Sequence, residues 1–195
     1  MSETFTLKIP LDYPAPSFQL KDVVSEKLIR FDDVKGEKGT VVVFICNHCP
    51  YVIHSITTLV KLAKEFQPKG IGFVAINAND IVAYPEDAPD LMKEFAIKNS
   101  FSFPYLYDET QRTAIAYRAA CTPDYSLFDA DDLCIYRGQL DYSRPKNKKP
   151  NDGRSLRTAF EILLSGERTI ANQIPSSGCN IKWKKENESH LKPLF

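Results

Sequence analysis

The sequence has no excess of either charge. Its 25 lysines and arginines balance 25 aspartates and glutamates, a formal net charge of zero over 195 residues. That balance removes the electrostatic basis for a nucleic-acid or anionic-membrane partner. The one basic run, Arg144-Pro145-Lys146-Asn147-Lys148-Lys149, lies between prolines without apolar periodicity and reads as a solvated loop. Long hydrophobic runs are also missing: Val41-Val42-Val43-Phe44-Ile45 falls far short of the ~20 apolar residues a membrane-spanning helix needs. The opening Met1-Ser2-Glu3-Thr4-Phe5-Thr6-Leu7-Lys8 lacks a basic segment followed by an apolar one, so no targeting peptide is read. Five cysteines are an odd number for a secreted disulfide framework. Cys121, Cys134 and Cys179 are isolated and no H-x-x-x-H spacing exists, which argues against a complete zinc knuckle. There is no internal repeat. The expectation is a globular chain of a reducing cytoplasm, with a domain over 1–165 and a tail over 166–195.

What is present is Cys46-Asn47-His48-Cys49-Pro50, a Cys-x-x-Cys pair. It stands between the buried run Val41–Ile45 and an amphipathic helical pattern. A helix N-terminus presents unpaired N–H groups and the positive end of its dipole, and both favour a thiolate. The thiolate is the reactive form, and two sulfurs three residues apart can close on each other. Redox chemistry is therefore the leading reading. Zinc knuckles place such pairs on hairpin turns rather than at a strand-to-helix switch.

Along the chain, Ser17–Leu20 and Leu28–Phe31 predict a short hairpin. Val41–Ile45 and Ile71–Ile76 predict buried strands, because they are apolar without alternation. Between them Val52, Ile56, Leu59, Val60, Ala63 and Phe66 recur at helical spacing, and Pro68 with Gly70 ends that helix. A helix around Leu91–Ala96, a strand over Phe103–Tyr107 and a short helix over Glu109–Arg118 follow. Tyr125–Phe128 and Leu133–Tyr136 are joined by a turn so short that they must pair antiparallel. A last helix runs from near Gly153 to Leu164. This order predicts an α/β fold, a mixed central sheet with helices on both faces. The tail carries Cys179 and Trp183, which suit a docked segment better than an exposed one. Its irregular sequence predicts no further sheet.

Four features resemble the thioredoxin fold, on the peroxiredoxin-like (redoxin and thiol-specific antioxidant) side of that superfamily. Ala15-Pro16-Ser17-Phe18-Gln19-Leu20 resembles the opening of redoxin domains. Cys46-Asn47-His48-Cys49 occupies the thioredoxin active-site position, and Thr122-Pro123 matches the cis-proline loop. Asn77-Ala78-Asn79-Asp80, Tyr84-Pro85-Glu86-Asp87, Cys121-Thr122-Pro123-Asp124 and Gly178-Cys179-Asn180-Ile181-Lys182-Trp183 resemble a bacterial peroxiredoxin-like subgroup. The resemblance implies a thioredoxin fold with an N-terminal β-hairpin and an extended C-terminal tail. It also implies that Pro123 is cis and that Thr122 offers its backbone to an extended substrate.

The expected activity is thiol–disulfide oxidoreduction on protein or small-molecule disulfides, with no cofactor, no metal, no nucleic acid and no membrane. Cys46, the more exposed sulfur at the helix start, attacks; Cys49, deeper in the first turn, resolves. His48 lowers the nucleophile's pKa. Thr122 and Pro123 hold the substrate chain. Asn77, Asn79 and Asp80 follow the second buried strand and are candidates for the site edge, or simply satisfy a turn. Cys121 and Cys179 are candidate secondary thiols: if the tail folds over the site, Cys179 could meet Cys121 or the active pair, forming a second disulfide or relaying electrons, or both are inert packed residues; Cys134 reads as a packed strand residue. Two departures matter. Ile45 and Thr40 replace the tryptophan and the buried acid of a typical thioredoxin. The spacing Pro-x-x-x-Thr-x-x-Cys of a peroxiredoxin is absent, since counting back from Cys49 meets Cys46 and Val42. A cysteine peroxidase working through Cys49 is the enzymatic alternative. A thiolate metal module of Cys46, Cys49 and His48 or His54 is the non-enzymatic one.

Overall fold

A computed structural model describes residues 3–168 and 173–191. Along it run β1 (Glu3–Phe5), β2 (Gln19–Asp22), β3 (Leu28–Arg30), α1 (Phe31–Val34), β4 (Gly39–Phe44), α2 (Pro50–Phe66) and β5 (Ile71–Asn77). Then come α3 (Pro89–Lys98), β6 (Tyr105–Tyr107), α4 (Arg112–Ala116), β7 (Cys121–Thr122), β8 (Asp124–Asp129), β9 (Cys134–Gly138), α5 (Arg154–Leu164) and β10 (Ser177–Asn180). The main sheet has the order β3-β2-β6-β5-β4-β8-β9. At its centre β4 pairs parallel with β5 and antiparallel with β8. The helix α2 makes the crossover that a parallel pair requires, while β8 and β9 need only a tight turn. This is the mixed α/β arrangement of the thioredoxin fold.

Alternation along the central strands divides the apolar residues between two cores. Val41, Val43, Phe73, Ala75 and Leu127 face α2 and α5, meeting Val52, Ile56, Leu59, Phe66, Leu156 and Phe160. Val42, Phe44, Val74, Ile76 and Phe128 face Phe18, Phe31 and Tyr117 on the other side. Each of the valine, leucine, isoleucine and phenylalanine side chains contributes about 1.5–3 kcal/mol on burial, and the central strand is anchored from both faces.

Three boundaries differ from the sequence reading. Helix α2 begins at Pro50 with Cys49 as N-cap; proline suits the first helical position because its missing N–H has no partner there anyway. The strand predicted from Phe103 starts at Tyr105, after Pro104, which cannot donate to a ladder. The helix predicted over Glu109–Arg118 is confined to Arg112–Ala116, with Gln111 before it at φ 63°.

The tail departs further. Ser177–Asn180, expected to be irregular, is the middle strand of a second sheet of order β1-β10-β7. Cys179 pairs with Glu3 on one side and Thr122 on the other. Context sets this strand rather than composition. Gly178 lies so close to the Thr122 carbonyl that a Cβ would stand 2.0 Å from its oxygen. Beyond it Ile181 is buried and Trp183 packs against the second core. Residues 169–172 and 192–195 of the expected tail lie outside the described residues.

Candidate functional site

Because β4 and β5 run parallel, the residues that follow them emerge at the same carboxyl edge, where α/β sheets build sites. Cys46 follows β4 there and Cys49 caps α2. The Thr122–Pro123 peptide, which is cis, brings Thr122 against both sulfurs. Its Oγ1 lies 3.3 Å from Cys46 Sγ, and its carbonyl accepts from the Cys49 thiol at 3.1 Å.

Both sulfurs are enclosed, Cys46 at 1% and Cys49 at 0% exposure. The expectation of an exposed Cys46 at the helix start is therefore corrected: the helix starts later, and Thr122 covers the sulfur. The ionisation order is reversed as well. The Cys46 thiol at its side, then the Cys179 thiol and the Val52 N–H, outweigh burial and bring Cys49 down to about 5. Cys46 is pushed well up, by its hydrogen bond to Cys49 first, then by burial and the Asp87 carboxylate. The two shifts run in opposite directions, down at Cys49 and up at Cys46. His48 interacts electrostatically with the Cys49 sulfur, and its ring is paired with Asp87.

Asp87 was not singled out as a site residue. It is fully buried, accepts the Asn47 N–H at 2.7 Å and Asn79 Nδ2 at 2.7 Å, and pairs with His48 Nδ1 at 2.8 Å. That carboxylate, more than the weaker pull of Glu86 and against partial burial, raises the His48 pKa. The imidazole stacks on Tyr84, with centroids 5.7 Å apart and planes at 7°. Its Nε2 has no hydrogen-bond partner among the described residues. Asn47 is fixed in turn by the Tyr105 hydroxyl, which donates to its Oδ1 at 3.1 Å. The only signal in the sequence was that Tyr84–Asp87 belonged to the subgroup-like motif.

The remaining candidates separate clearly. Asn79 joins the network: besides Asp87 it accepts the Lys182 N–H at 2.9 Å, tying the tail to this edge. Asn77 Oδ1 accepts the Asn79 N–H at 3.0 Å. Asp80 serves the backbone, its N–H donating to the Lys182 carbonyl at 2.8 Å and its Oδ1 accepting the Val82 N–H at 3.1 Å. Cys179 Sγ stands 2.9 Å from Cys49 Sγ. Cys121 faces away from them, near Thr6 Oγ1 at 3.8 Å. It pairs across the sheet with Asn180 while Cys179 pairs with Thr122, so alternation puts Cys121 and Cys179 on opposite faces. A direct Cys121–Cys179 bridge is thereby excluded. Cys134 is buried in β9.

Among the described residues, Cys46, His48 and Asp87 could hold a metal ion, their ligand atoms lying within 4.8 Å of one another. His54 does not join them, since its Nε2 is bonded to Ser143 Oγ at 2.6 Å.

The model of the AhpC/TSA family matches residues 11–162. No curated protein matches the chain. Among solved structures, an uncharacterized conserved protein from Geobacillus kaustophilus is 51% identical, with 95% of this chain and 98% of that one covered and a TM-score of 0.93. A hypothetical protein from Sinorhizobium meliloti 1021 is 38% identical over 93% of this chain and 99% of its own, with a TM-score of 0.91. A thiol:disulfide interchange protein of the thioredoxin family from Chlorobium tepidum shares the fold, at 18% identity and a TM-score of 0.61. That match covers 80% of this chain and 99% of the other.

Proposed function

The chain belongs to the AhpC/TSA family, and within it we propose a thiol–disulfide oxidoreductase whose redox couple is Cys46 and Cys49. The observation that carries this reading is the convergence of both sulfurs on Thr122, at 3.3 Å from its hydroxyl and 3.1 Å from its carbonyl. Such a pair can exchange electrons with a substrate disulfide without any cofactor. Cys46 lies beside the half-buried His48. It passes its proton to the adjacent Cys49 sulfur and attacks one sulfur of the substrate, expelling the other as thiolate. Cys49 then attacks Cys46, gives its proton to the second departing sulfur and closes the Cys46–Cys49 disulfide. Two electrons pass to the substrate.

On this reading His48 and Asp87 set the charge beside Cys46, and Thr122–Pro123 receives the substrate chain. The substrates are protein or small-molecule disulfides in a cytoplasm. The chain divides into a domain over 1–165 and a tail over 166–195, of whose described residues β10 walls the thiols. No helix among the described residues is long and apolar enough to cross a membrane. The test is catalytic reduction of insulin disulfides. Cys46→Ser should fall to background, and activity equal to the unmodified protein removes the proposal.

A second reading, a cysteine peroxidase, is favoured by one observation. The Thr122 hydroxyl, 3.3 Å from Cys46 with either atom able to donate, supplies beside Cys46 the hydroxyl that Val43, three residues before it, does not, and so favours a peroxidase working through Cys46. Stopped-flow reaction with hydrogen peroxide separates the readings: a rate far above that of a free thiol ranks the peroxidase first.

A further inference from the structure

Cys49 has two sulfur neighbours, and only one of them belongs to the Cys-x-x-Cys pair. Cys179 Sγ, 130 residues further along, lies 2.9 Å from Cys49 Sγ, within about 1 Å of the bonded length of about 2.05 Å. This proximity is built by the backbone. β10 is held on both edges, by β1 and β7, so Cys179 cannot drift sideways. Cys179 and Thr122 are direct partners across the antiparallel pair, and such partners project from the same face. The Thr122 side chain stands on the thiol side of this sheet, 3.3 Å from Cys46 Sγ, so the register turns Cys179 to that same side. Gly178 allows the approach, because any Cβ there would collide with the Thr122 carbonyl. Lys182, the buried cation nearest in the tail, has its Nζ on Asn180 Oδ1 at 2.8 Å.

We propose that Cys179 is a third redox cysteine, and that Cys49 forms its disulfide alternately with Cys46 and with Cys179. The inference rests on the oxidoreductase reading and adds the step that follows oxidation. The Cys179 thiol loses its proton, and its sulfur attacks Cys49 within the Cys46–Cys49 disulfide. The Cys49–Cys179 bond forms as the Cys46–Cys49 bond breaks. The electron pair leaves on Cys46, which takes up a proton, so no external oxidant or reductant is consumed. The oxidised protein then again presents a free thiol at the His48 edge. Cys46 can then attack a second substrate disulfide, forming a mixed disulfide and expelling the other sulfur as thiolate, while the first oxidation stays stored in the Cys49–Cys179 bond between α2 and β10. Cys121 takes no part, since it faces the other side of the small sheet.

The test is disulfide mapping by tryptic mass spectrometry after oxidation with oxidised glutathione. Wild type, Cys46→Ser and Cys179→Ser are compared, each first shown by circular dichroism to be folded when reduced. In Cys46→Ser, Cys49 should attack glutathione disulfide and release one glutathione, and Cys179 should resolve it and release the second. That variant should lose two thiols per monomer and yield a Cys49–Cys179 linked peptide. Wild type, which needs no substitution, should yield the same linked peptide beside the Cys46–Cys49 form. Absence of the Cys49–Cys179 peptide from both proteins overturns the inference, as does glutathione left unresolved on Cys49 in a folded Cys46→Ser. Cys179→Ser keeps the two failures apart. If it forms Cys46–Cys49 and exchanges disulfides, the parent reading stands whatever becomes of Cys179; if it forms none, that reading fails first.

Discussion

Asp87 and His48 form an ion pair of 2.8 Å between a fully buried carboxylate and an imidazole at the edge of the thiol site. A buried charge persists only when paired and hydrogen-bonded, and Asp87 meets that requirement through Asn47, Asn79 and His48. The pair favours the protonated ring, so His48 titrates above its ordinary value. Its contribution to stability is present in full below the unfolded histidine value, about 6.5. It is lost as pH rises through the folded value. NMR titration of the ring should show a raised midpoint that falls back in Asp87→Asn. An unchanged midpoint would mean that the carboxylate does not govern this ring.

Cys49 is held near 5, and the first cause is the Cys46 thiol. Thiolate absorbance near the ultraviolet edge should therefore rise by one equivalent around pH 5 in the reduced protein. The step should vanish in Cys49→Ser. In Cys46→Ala it should move upward, since the leading donor is gone while burial is kept. If it instead vanishes in Cys46→Ala and survives in Cys49→Ser, the anion belongs to Cys46.

Legibility in the sequence followed how local the physics was. The central strands were readable because Val41–Phe44 and Val74–Ile76 are apolar on both faces, which only a covered strand tolerates. The face of α2 was readable from its periodicity, but its start was misplaced by giving the cysteines to the first turn. Pro50 was the available signal, because proline at the first helical position leaves Cys49 as the cap. Asp87 was illegible as a site residue. An acid after Pro85 reads as turn chemistry, and its burial depends on partners eight and forty residues away. The Cys49–Cys179 approach was legible only as an open alternative, beside a Cys121–Cys179 pairing. Ser177–Asn180 lacks strand composition, and its pairing is imposed by the Thr122 backbone.

The Thr122–Pro123 loop depends on a second buried pair. Arg137 Nη2 meets Asp124 Oδ2 at 3.3 Å, with both side chains almost fully enclosed. Its other N–H groups donate to the carbonyls of Tyr117, Arg118 and Leu7. Removing one partner strands the other charge, at a cost of about 3–5 kcal/mol. Arg137→Met should lose that much in urea unfolding at pH 8. Burial already raises Asp124 against the pull of Arg137; without the guanidinium it is raised further and becomes neutral more readily in acid. The deficit should therefore shrink at pH 5, since a raised carboxyl destabilises only where it must ionise. Adding Asp124→Asn should restore part of the loss. Strict additivity of the two substitutions would argue against the pair.

Gly178 makes the sharpest steric prediction. Its position would put a Cβ 2.0 Å from the Thr122 oxygen and 2.6 Å from the Thr122 carbonyl carbon. Both atoms are backbone and cannot rotate away. Gly178→Ala must therefore push β10 off β7, and Cys179 is the next residue along that strand. Two losses are expected together. Stability should fall by about 1–3 kcal/mol, the range for overpacking a close contact. The Cys49–Cys179 linked peptide should drop out of the oxidised map while the Cys46–Cys49 disulfide, which does not use β10, still forms. Cys179→Ala is the companion variant: it removes the sulfur without moving the strand, so it should lose the linked peptide at a smaller cost in stability. A Gly178→Ala protein as stable as wild type and still cross-linked would show that β10 does not need this approach to deliver Cys179.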